Sequence, residues 1–311
     1  MSTAVCPRRV LAAAGIAGVF LLLGSPGVRP EPLPSPPLPE PDARRLARDV
    51  AYLATTIGPR PAGSQAEQRA AEFIATRLAT LGYTVRWQPF PLPGGRQSAN
   101  VIATRGDQPP QLLIGGHYDS RPRAPGAEDN ASGIAVILEV ARLLAERDLP
   151  VQFVAFGAEE RVVSGRNGHH FGSRYYVRTA TAAHLAGLRG MLCIDCVGSG
   201  TRFLVQGCAS DDGRLARHCR VLAWRHGLTP GGGPARLNSD HAAFARAGVP
   251  VAYYHRLPHP QTHTPHDLPY RVRPEFLQET ATAVLLASED LCAPLAALWP
   301  REPAAGGSRS G

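Results

Sequence analysis

Lysine is absent from this sequence of 311 residues, so all 33 basic residues are arginines. The arginines are scattered along the chain, and aromatic residues make up only 6% of it. A nucleic-acid surface needs a clustered basic stretch or stripe, and the sequence contains no basic run with interleaved aromatics. The formal net charge of +8 therefore indicates a solvated basic surface, and we expect no nucleic-acid partner.

Cysteine is also scarce, and the six cysteines form no thiolate cluster of the kind that holds structural zinc. Cys193 and Cys196 have C-x-x-C spacing, but they lie in an apolar strand pattern, where residues three apart point to opposite faces. We interpret them as buried free thiols rather than a redox pair. Export would permit disulfides. Cys208 with Cys219 is the first pair to test, and the pairing is left open.

The N-terminus has the parts of a secretory signal. Arg8 and Arg9 precede an uncharged apolar run at 10–23, which small residues follow. No A-x-A cleavage site is present, and the run is short for a membrane span of about 20 residues. Residues 1–28 are therefore predicted to be a signal peptide or an uncleaved membrane anchor. Either alternative places the catalytic part outside the cytoplasm, secreted or periplasmic, and the anchor is the only membrane contact we expect.

Strand and helix patterns alternate after a proline-rich linker at 29–41. Short apolar runs predict strands, and apolar residues recurring every three to four positions predict helices between them. This order predicts one α/β domain at 42–295, with a mostly parallel mixed β-sheet covered by helices on both faces. Ser64 and Glu67 predict a capping box at one helix start. The Gly/Ser/Pro-rich residues 296–311 are predicted to be a disordered tail.

Ionisable residues follow the predicted strands in the order of the chain. They are His117, Asp119, Glu159, Glu160 and Asp195, with Asp129 in a turn-rich loop and Asp240, His241 and His263 in later loops. If the strands are parallel, these residues converge on one edge of the sheet. Several buried carboxylates would repel one another, and cations remove that conflict. Carboxylates with imidazoles and no thiolates suit catalytic zinc.

Six motifs carry these residues: HYDS, EDNASG, GAEE, a strand-end aspartate, SDHAAFARAGVP and HTPHD. In this order they resemble the co-catalytic di-zinc aminopeptidase family, which also contains the glutaminyl cyclases and glutamate carboxypeptidase II. The resemblance covers residues 42–291. It implies a zinc exopeptidase-like α/β/α sandwich and an aminopeptidase that removes residues from the free N-termini of peptides with a metal-activated water.

The resemblance also implies a role for each residue. His117 and Asp195 would bind one zinc, Glu160 and His263 a second, and Asp129 would bridge the two ions. Two zinc ions per chain are therefore expected, or one if the protein is cyclase-like. His266 remains an alternative to His263 as the last ligand.

Two further residues would act in catalysis. Glu159 would be the general base, and Asp119 would hold the far nitrogen of His117. In this family the bond after the bridging aspartate is commonly cis, so we expect a cis Asp129–Asn130 bond. Asp240 and His241 are expected to brace the site. His169 and His170 are expected to be solvent-exposed or pocket-rim residues with no ligand role.

One departure from the aminopeptidase pattern favours an alternative function. The segment 161–171 is longer than the aminopeptidase link and resembles the loop of glutaminyl cyclases, which close N-terminal glutamine to pyroglutamate with a single zinc. EDNASG is the aminopeptidase form of its motif, and Thr262 stands where cyclases usually carry tryptophan, so aminopeptidase is the leading hypothesis. A third hypothesis is a metal-free binding protein with the same fold. Stretch 85–111 is too short for an inserted lid domain. The preferred N-terminal residue and the oligomeric state stay open.

Overall fold

The computed structural model describes residues 38–165 and 167–293. The predicted leader at 1–28, most of the predicted linker and the predicted tail at 296–311 lie outside the described residues. Within the described ranges, no helix combines the length and the apolar character needed to cross a bilayer.

Seven strands and eight α-helices form the described part of the chain. The strands are β1 (Thr84–Pro91), β2 (Gln97–Thr104), β3 (Leu112–His117), β4 (Val151–Phe156), β5 (Gly190–Ile194), β6 (Arg202–Gln206) and β7 (Val251–Leu257). The helices are α1 (Ala43–Ala51), α2 (Gln65–Thr80), α3 (Gly133–Leu144), α4 (Phe171–Thr179), α5 (Ala182–Gly187), α6 (Arg214–Arg225), α7 (His241–Arg246) and α8 (Pro274–Cys292). Sequence periodicity did not predict the short helix α5.

All seven strands form one sheet in the order β1-β2-β4-β3-β5-β7-β6. The four central strands β4, β3, β5 and β7 run parallel to one another. The edges are antiparallel, with β1 and β2 on one side and β6 on the other. The predicted mostly parallel mixed sheet is therefore confirmed, and its carboxyl edge gathers the ends of four strands.

Helices cover both faces of the sheet, so its mostly apolar central strands are buried on two sides. Every residue of β3, β4 and β5 is buried. On one face Leu113, Val154 and Met191 belong to a core that also contains Tyr176 of α4 and Phe244 of α7. On the other face α1, α3 and α8 pack together, and α3 lies against β3 and β5. Burial on two faces explains why these strands read as continuous apolar runs rather than alternating ones.

The first turn of α2 contacts the loop that follows β4 through the side chain of Glu67. Ser64 Oγ accepts from the backbone N–H of Glu67 at 3.1 Å, as the capping box predicts. The Glu67 carboxylate does not return to the cap residue. It accepts from Gly63 N at 2.6 Å, Ser98 Oγ at 2.7 Å and Ala158 N at 3.1 Å. Burial raises the pKa of Glu67 to about 8.

The five cysteines of the described residues are buried free thiols. The interpretation of Cys193 and Cys196 is confirmed, because β5 buries Cys193 and the turn after it buries Cys196. The suggested Cys208–Cys219 disulfide is wrong: both residues are unpaired, with Cys208 before a short helical turn and Cys219 in the buried face of α6.

Candidate metal centre

The ends of the parallel strands supply most of the candidate site. His117 is the last residue of β3, and Asp195 directly follows the last residue of β5. Glu159 and Glu160 come three and four residues after Phe156, the end of β4. His263 lies in the loop after β7. Because these strands run in the same direction, their ends meet at one edge, as predicted for open α/β sheets.

Asp129 reaches this edge from the helical turn Ala127–Ser132, which the side chain of Asn130 anchors. Asn130 Nδ2 donates to the carbonyl of Ile194 at 2.9 Å, and its Oδ1 accepts from Gly133 N at 2.9 Å. Gly116 makes room for this hydrogen bond, because an added Cβ would lie 2.3 Å from the Ile194 carbonyl oxygen and 3.0 Å from Asn130 Nδ2. The predicted cis bond between Asp129 and Asn130 is present.

Two groups of ligand-type atoms share Asp129. In the first, His117 Nε2 lies 3.1 Å from Asp129 Oδ1 and 3.5 Å from Asp195 Oδ1. In the second, His263 Nε2 lies 2.9 Å from Asp129 Oδ2 and 3.3 Å from Glu160 Oε1. In each group one atom from every residue lies within 4.8 Å of the others. The structure thus brings together all five residues proposed as ligands, and Asp129 presents one oxygen to each group.

Unsatisfied oxygens show that these groups suit metal ions. Glu160 Oε1 and Asp195 Oδ1 are buried and accept no hydrogen bond within the described part of the chain. A buried carboxylate oxygen without a donor is costly unless a cation contacts it. Each oxygen belongs to a different group, and two carboxylates with one imidazole form a donor set suited to zinc. The residues present therefore fit two metal ions.

Mutual repulsion and burial perturb the ionisation of these side chains. Burial, together with nearby Asp129, raises the pKa of Glu160 to about 8. Burial alone would lower the pKa of His117, but Glu159 and the nearby carboxylates of Asp119, Asp129 and Asp195 raise it well above its usual value. The two imidazoles outweigh burial at Asp129 and lower its pKa. A cluster that must otherwise hold extra protons is a site where cations are favourable.

Asp119 supports both the histidine and the glutamate pair. Its Oδ1 accepts from Glu159 N at 2.9 Å, and its Oδ2 accepts from Glu160 N at 3.1 Å. His117 Nδ1 lies 3.4 Å from Asp119 Oδ1 and 3.2 Å from its backbone carbonyl. The fully buried carboxylate therefore orients His117, as the sequence predicts, and also fixes the turn that carries both glutamates.

Glu159 lies beside the first ligand group. Its Oε2 lies 4.0 Å from His117 Nε2, and its Oε1 lies 3.0 Å from His170 Nε2. Burial and the neighbouring Glu160 raise the pKa of Glu159 well above its usual value. His170 belongs to neither ligand group of the described residues. It nevertheless contacts the carboxylate of Glu159, the proposed general base. Burial lowers the pKa of His170 to about 4, so the ring is neutral near neutral pH.

The structure separates His263 from His266 as the last candidate ligand. His263 Nε2 is in contact with two carboxylates, whereas exposed His266 belongs to neither candidate group of the described residues. His263 adopts a left-handed backbone conformation with φ of 65°. Ala158 and Cys196, beside Glu159 and Asp195, also have positive φ. Non-glycine residues in this region concentrate where a function constrains the backbone.

Sequence reasoning missed two residues that shape the loop around Asp129. Arg60 is fully buried and donates to five backbone carbonyls, including Pro125 O at 2.6 Å and Gly126 O at 2.9 Å. Asp267 accepts from Glu128 N at 2.7 Å and from Asp129 N at 3.1 Å. Asp267 is the last residue of HTPHD, so that motif contained the signal. Arg60 lies in a Gly/Pro-rich loop, and the composition of that loop gave no signal of its role.

Asp240 and His241 lie behind the centre and outside both ligand groups. Burial raises the pKa of Asp240 to about 7. The His241 ring stacks on Tyr253 with centroids 4.3 Å apart, and Tyr253 Oη lies 3.5 Å from Asp195 Oδ2. These contacts agree with a bracing role for His241, whereas the same role for Asp240 stays a prediction.

An α/β/α fold with two carboxylate–imidazole groups at the carboxyl edge of its parallel strands defines a candidate dinuclear metal centre. The family comparison is specific: residues 100–288 match the model of Peptidase family M28. The chain belongs to this family.

Curated relatives agree with this assignment. Leupeptin-inactivating enzyme 1 of Streptomyces exfoliatus is 31% identical over 81% of this chain and 58% of its own length. Aminopeptidase YwaD of Bacillus subtilis is 31% identical over 61% of this chain and 44% of its own length. The uncharacterized protein YfbL of Escherichia coli is 38% identical over 37% of this chain and 39% of its own length. The chain thus spans less than two thirds of each of these relatives.

Solved structures share the fold. The zinc aminopeptidase BSAP of Bacillus subtilis superposes with a TM-score of 0.76 at 19% identity, covering 84% of this chain and 97% of that one. The glutaminyl cyclase of Porphyromonas gingivalis superposes with a TM-score of 0.69 at 21% identity, covering 80% and 98%. At these identities the likeness concerns the fold alone, and the fold accommodates both activities.

Proposed function

We propose that this protein is a zinc-dependent aminopeptidase that hydrolyses the N-terminal residue from peptides, with Glu159 as general base. One observation carries the proposal. Asp129 directs its two oxygens to two separate groups, while Glu159 remains free of both and faces the first one at 4.0 Å from His117 Nε2. A two-metal hydrolase combines ligands for two ions with a separate general base, and this arrangement provides both.

The chain's own residues would act as metal ligands and as general base. His117 and Asp195 would hold one zinc, Glu160 and His263 the second, and Asp129 both; bound zinc supplies a Lewis acid that polarises a carbonyl and makes water more acidic. Glu159 takes the proton of the attacking water and hands it to the departing amine.

The positioning groups complete this arrangement. Asp119 holds the turn of Glu159 and Glu160 through both backbone N–H groups, so the base and a ligand keep a fixed relation. His170, neutral because its pKa is about 4, lies against the outer oxygen of Glu159 and limits its rotation. The carboxylate-rich centre attracts the ammonium group of a free peptide N-terminus, which supports exopeptidase rather than endopeptidase activity.

Glutaminyl cyclase is the second candidate, and one observation favours it. The loop 161–170 lines a cavity next to Glu159, a position that resembles the cyclase loop. The second ligand group counts against this candidate, because a single zinc would leave the buried Glu160 Oε1 without a partner.

Export is proposed from the sequence of residues 1–28 alone. N-terminal sequencing of the protein recovered from culture medium, periplasm and membrane would test it. Recovery of the full-length chain in the cytoplasm alone would contradict export.

Product analysis separates the two enzymatic functions. The purified zinc-loaded protein is offered Leu-Ala-Ala-amide, its N-acetyl derivative and Gln-Ala-Ala-amide, and the bound zinc is counted. We expect free leucine from the first peptide, no product from the acetylated control, and two zinc ions per chain. Pyroglutamyl peptide as sole product, with one zinc, would establish the cyclase instead.

A further inference from the structure

A cavity of about 1060 Å³ lies beside the candidate metal centre, between α4, α7 and the loop residues Arg161, Gly165, Asn167, His169 and His170. Its charged lining is all of one sign. Four arginines line it, and no aspartate or glutamate of the described residues does; they are Arg161, Arg174, Arg178 and Arg246. Asn167 and Asn238 add neutral amides to the wall. The cavity therefore offers hydrogen-bond donors and positive charge.

The cavity reaches the general base through one side chain. His170 is part of the cavity wall, and its Nε2 lies 3.0 Å from Glu159 Oε1. Arg161 directly follows Glu160 in the chain. Because one extended residue spans at most about 3.6 Å, a group one or two residues from the scissile bond can enter the cavity while that bond lies at Glu159.

No carboxylate of the described residues forms an ion pair with the arginines of this cavity. Elsewhere arginines form close ion pairs, such as Arg77 with Asp49 at 3.0 Å and Arg147 with Glu289 at 2.6 Å. For the cavity arginines, the described part of the chain provides no carboxylate oxygen within 4.0 Å. Four like charges around one concavity repel one another and focus a positive potential into it, which favours an anion.

Two of these arginines are held in place without losing charge. Arg174 and Arg178 are four residues apart on α4 and therefore share a face. Arg174 Nη1 donates to the carbonyls of Asn167 at 2.9 Å and His169 at 3.3 Å. The Arg178 guanidinium lies 5.1 Å from the centre of the Tyr175 ring. Carbonyl and ring contacts orient a guanidinium and leave its remaining donors available to a carboxylate.

We propose that this cavity binds a carboxylate of the peptide substrate, so the enzyme prefers peptides with an acidic group within one or two residues of the scissile bond. The inference rests on the peptide hydrolysis proposed above. Two sources offer the same chemistry: the side chain of Asp or Glu, and the C-terminal carboxylate of a dipeptide or tripeptide. The ammonium of the peptide then lies at the carboxylate-rich centre and its carboxylate at the arginines.

Three matched substrate pairs test the preference. Glu against Gln is compared at the first position and at the second position of C-terminally amidated tripeptides, and Leu-Ala is compared with Leu-Ala-amide. A charge-assisted hydrogen bond predicts a kcat/KM ratio of about 10–100 in favour of the carboxylate in at least one pair. The ratio should decrease between 50 and 500 mM salt, because screening weakens partly exposed charge pairs. The pair that responds identifies the source.

Variants assign the ratio to the cavity. The double variant Arg178→Gln/Arg246→Gln removes two exposed side chains and should bring the ratio near one. Arg225→Gln on α6 removes an exposed charge of the same sign away from the cavity and should keep the ratio. Ratios near one for every pair, with Leu-Ala-Ala-amide still hydrolysed, would overturn the inference and leave the proposed function intact. A ratio unchanged in the double variant would also overturn it.

Absence of peptide hydrolysis would refute the proposed function. In that case a binding measurement tests whether the cavity binds a carboxylate. Glutarate and its diamide are titrated calorimetrically into the zinc-loaded protein. Binding of glutarate at least about tenfold tighter than the diamide, lost in Arg178→Gln/Arg246→Gln and kept in Arg225→Gln, supports the cavity as a carboxylate site. Equal binding of the two compounds, or glutarate binding unchanged in the double variant, overturns it.

Discussion

Replacing Asp119 with asparagine tests how far this buried carboxylate controls the site. The two oxygens accept from the backbone N–H groups of Glu159 and Glu160 at 2.9 and 3.1 Å. An amide offers one acceptor oxygen, so the NH₂ group of Asn would face one of these two N–H donors. Asp119→Asn also removes the negative charge beside His117 Nδ1. The change is almost isosteric, so packing remains the same.

The expected loss follows from these contacts. One buried N–H without an acceptor costs about 1–3 kcal/mol of unfolding free energy. Loss of the carboxylate that orients a metal-binding histidine typically lowers metal affinity or activity about 10–100-fold. We therefore expect Asp119→Asn to remain folded, to unfold at lower urea concentration, and to bind zinc and hydrolyse peptide more weakly than wild type.

Three assays measure these effects: urea unfolding, zinc competition with a chromophoric chelator, and kcat/KM on Leu-Ala-Ala-amide. Asp107→Asn is the matched control, since Asp107 is exposed on the turn after β2 and surface changes stay within about 0.5 kcal/mol. If Asp119→Asn equals this control in both zinc affinity and unfolding free energy, the role assigned to Asp119 is wrong.

Four further outcomes are expected. Glu159→Gln should keep its zinc and lose about 10²–10⁴-fold in kcat, measured beside exposed Glu146→Gln; unaltered turnover would remove Glu159 from its role. Removal of zinc by a chelator should abolish activity and lower the Tm, and zinc should restore both; full activity without metal would contradict this. Arg60→Met should lower the unfolding free energy by more than about 4 kcal/mol, because five carbonyls lose their donor; an unchanged urea midpoint would refute it. Burial raises the pKa of Asp49 from 3.8 to about 6, so the folded state holds this proton more tightly than the unfolded state. Stability from Asp49 is thus present at low pH and decreases as the pH rises through about 4–6, by about 3 kcal/mol; unfolding curves of wild type and Asp49→Asn should diverge over this range, and parallel curves would contradict the assignment.

Much of the fold could be predicted from local pattern. Strands β3, β4 and β5 are short apolar runs ended by glycine or charge, and burial on both faces makes such runs distinctive. The same pattern indicated His117, Glu159, Glu160 and Asp195 as site residues, because they follow parallel strands, whereas the ligand roles and the inclusion of Asp129 were implied by the resemblance to the di-zinc aminopeptidase family. The positions of His117 and Asp195 could be predicted once the ends of β3 and β5 were predicted correctly.

Contacts between distant loops were harder to predict. Arg60 donates to backbone carbonyls. Because every residue has a backbone carbonyl, the sequence does not show which residues Arg60 will contact. Glu67 looked like a helix cap, whereas its carboxylate bridges to Ser98 and Ala158 across the sheet edge. His170 meets Glu159 because the intervening loop turns back on itself, with His170 N donating to Glu159 O at 2.8 Å. Such contacts depend on loop conformation, which periodicity does not encode.

The central claim is that Asp129 lies between two bound metal ions. Crystals of the zinc-loaded protein, measured on both sides of the zinc absorption edge, test it most directly. We predict two anomalous peaks per chain, one against His117 and Asp195 and the other against Glu160 and His263, with one Asp129 oxygen facing each. A single peak, or peaks away from Asp129, would contradict this account of the site.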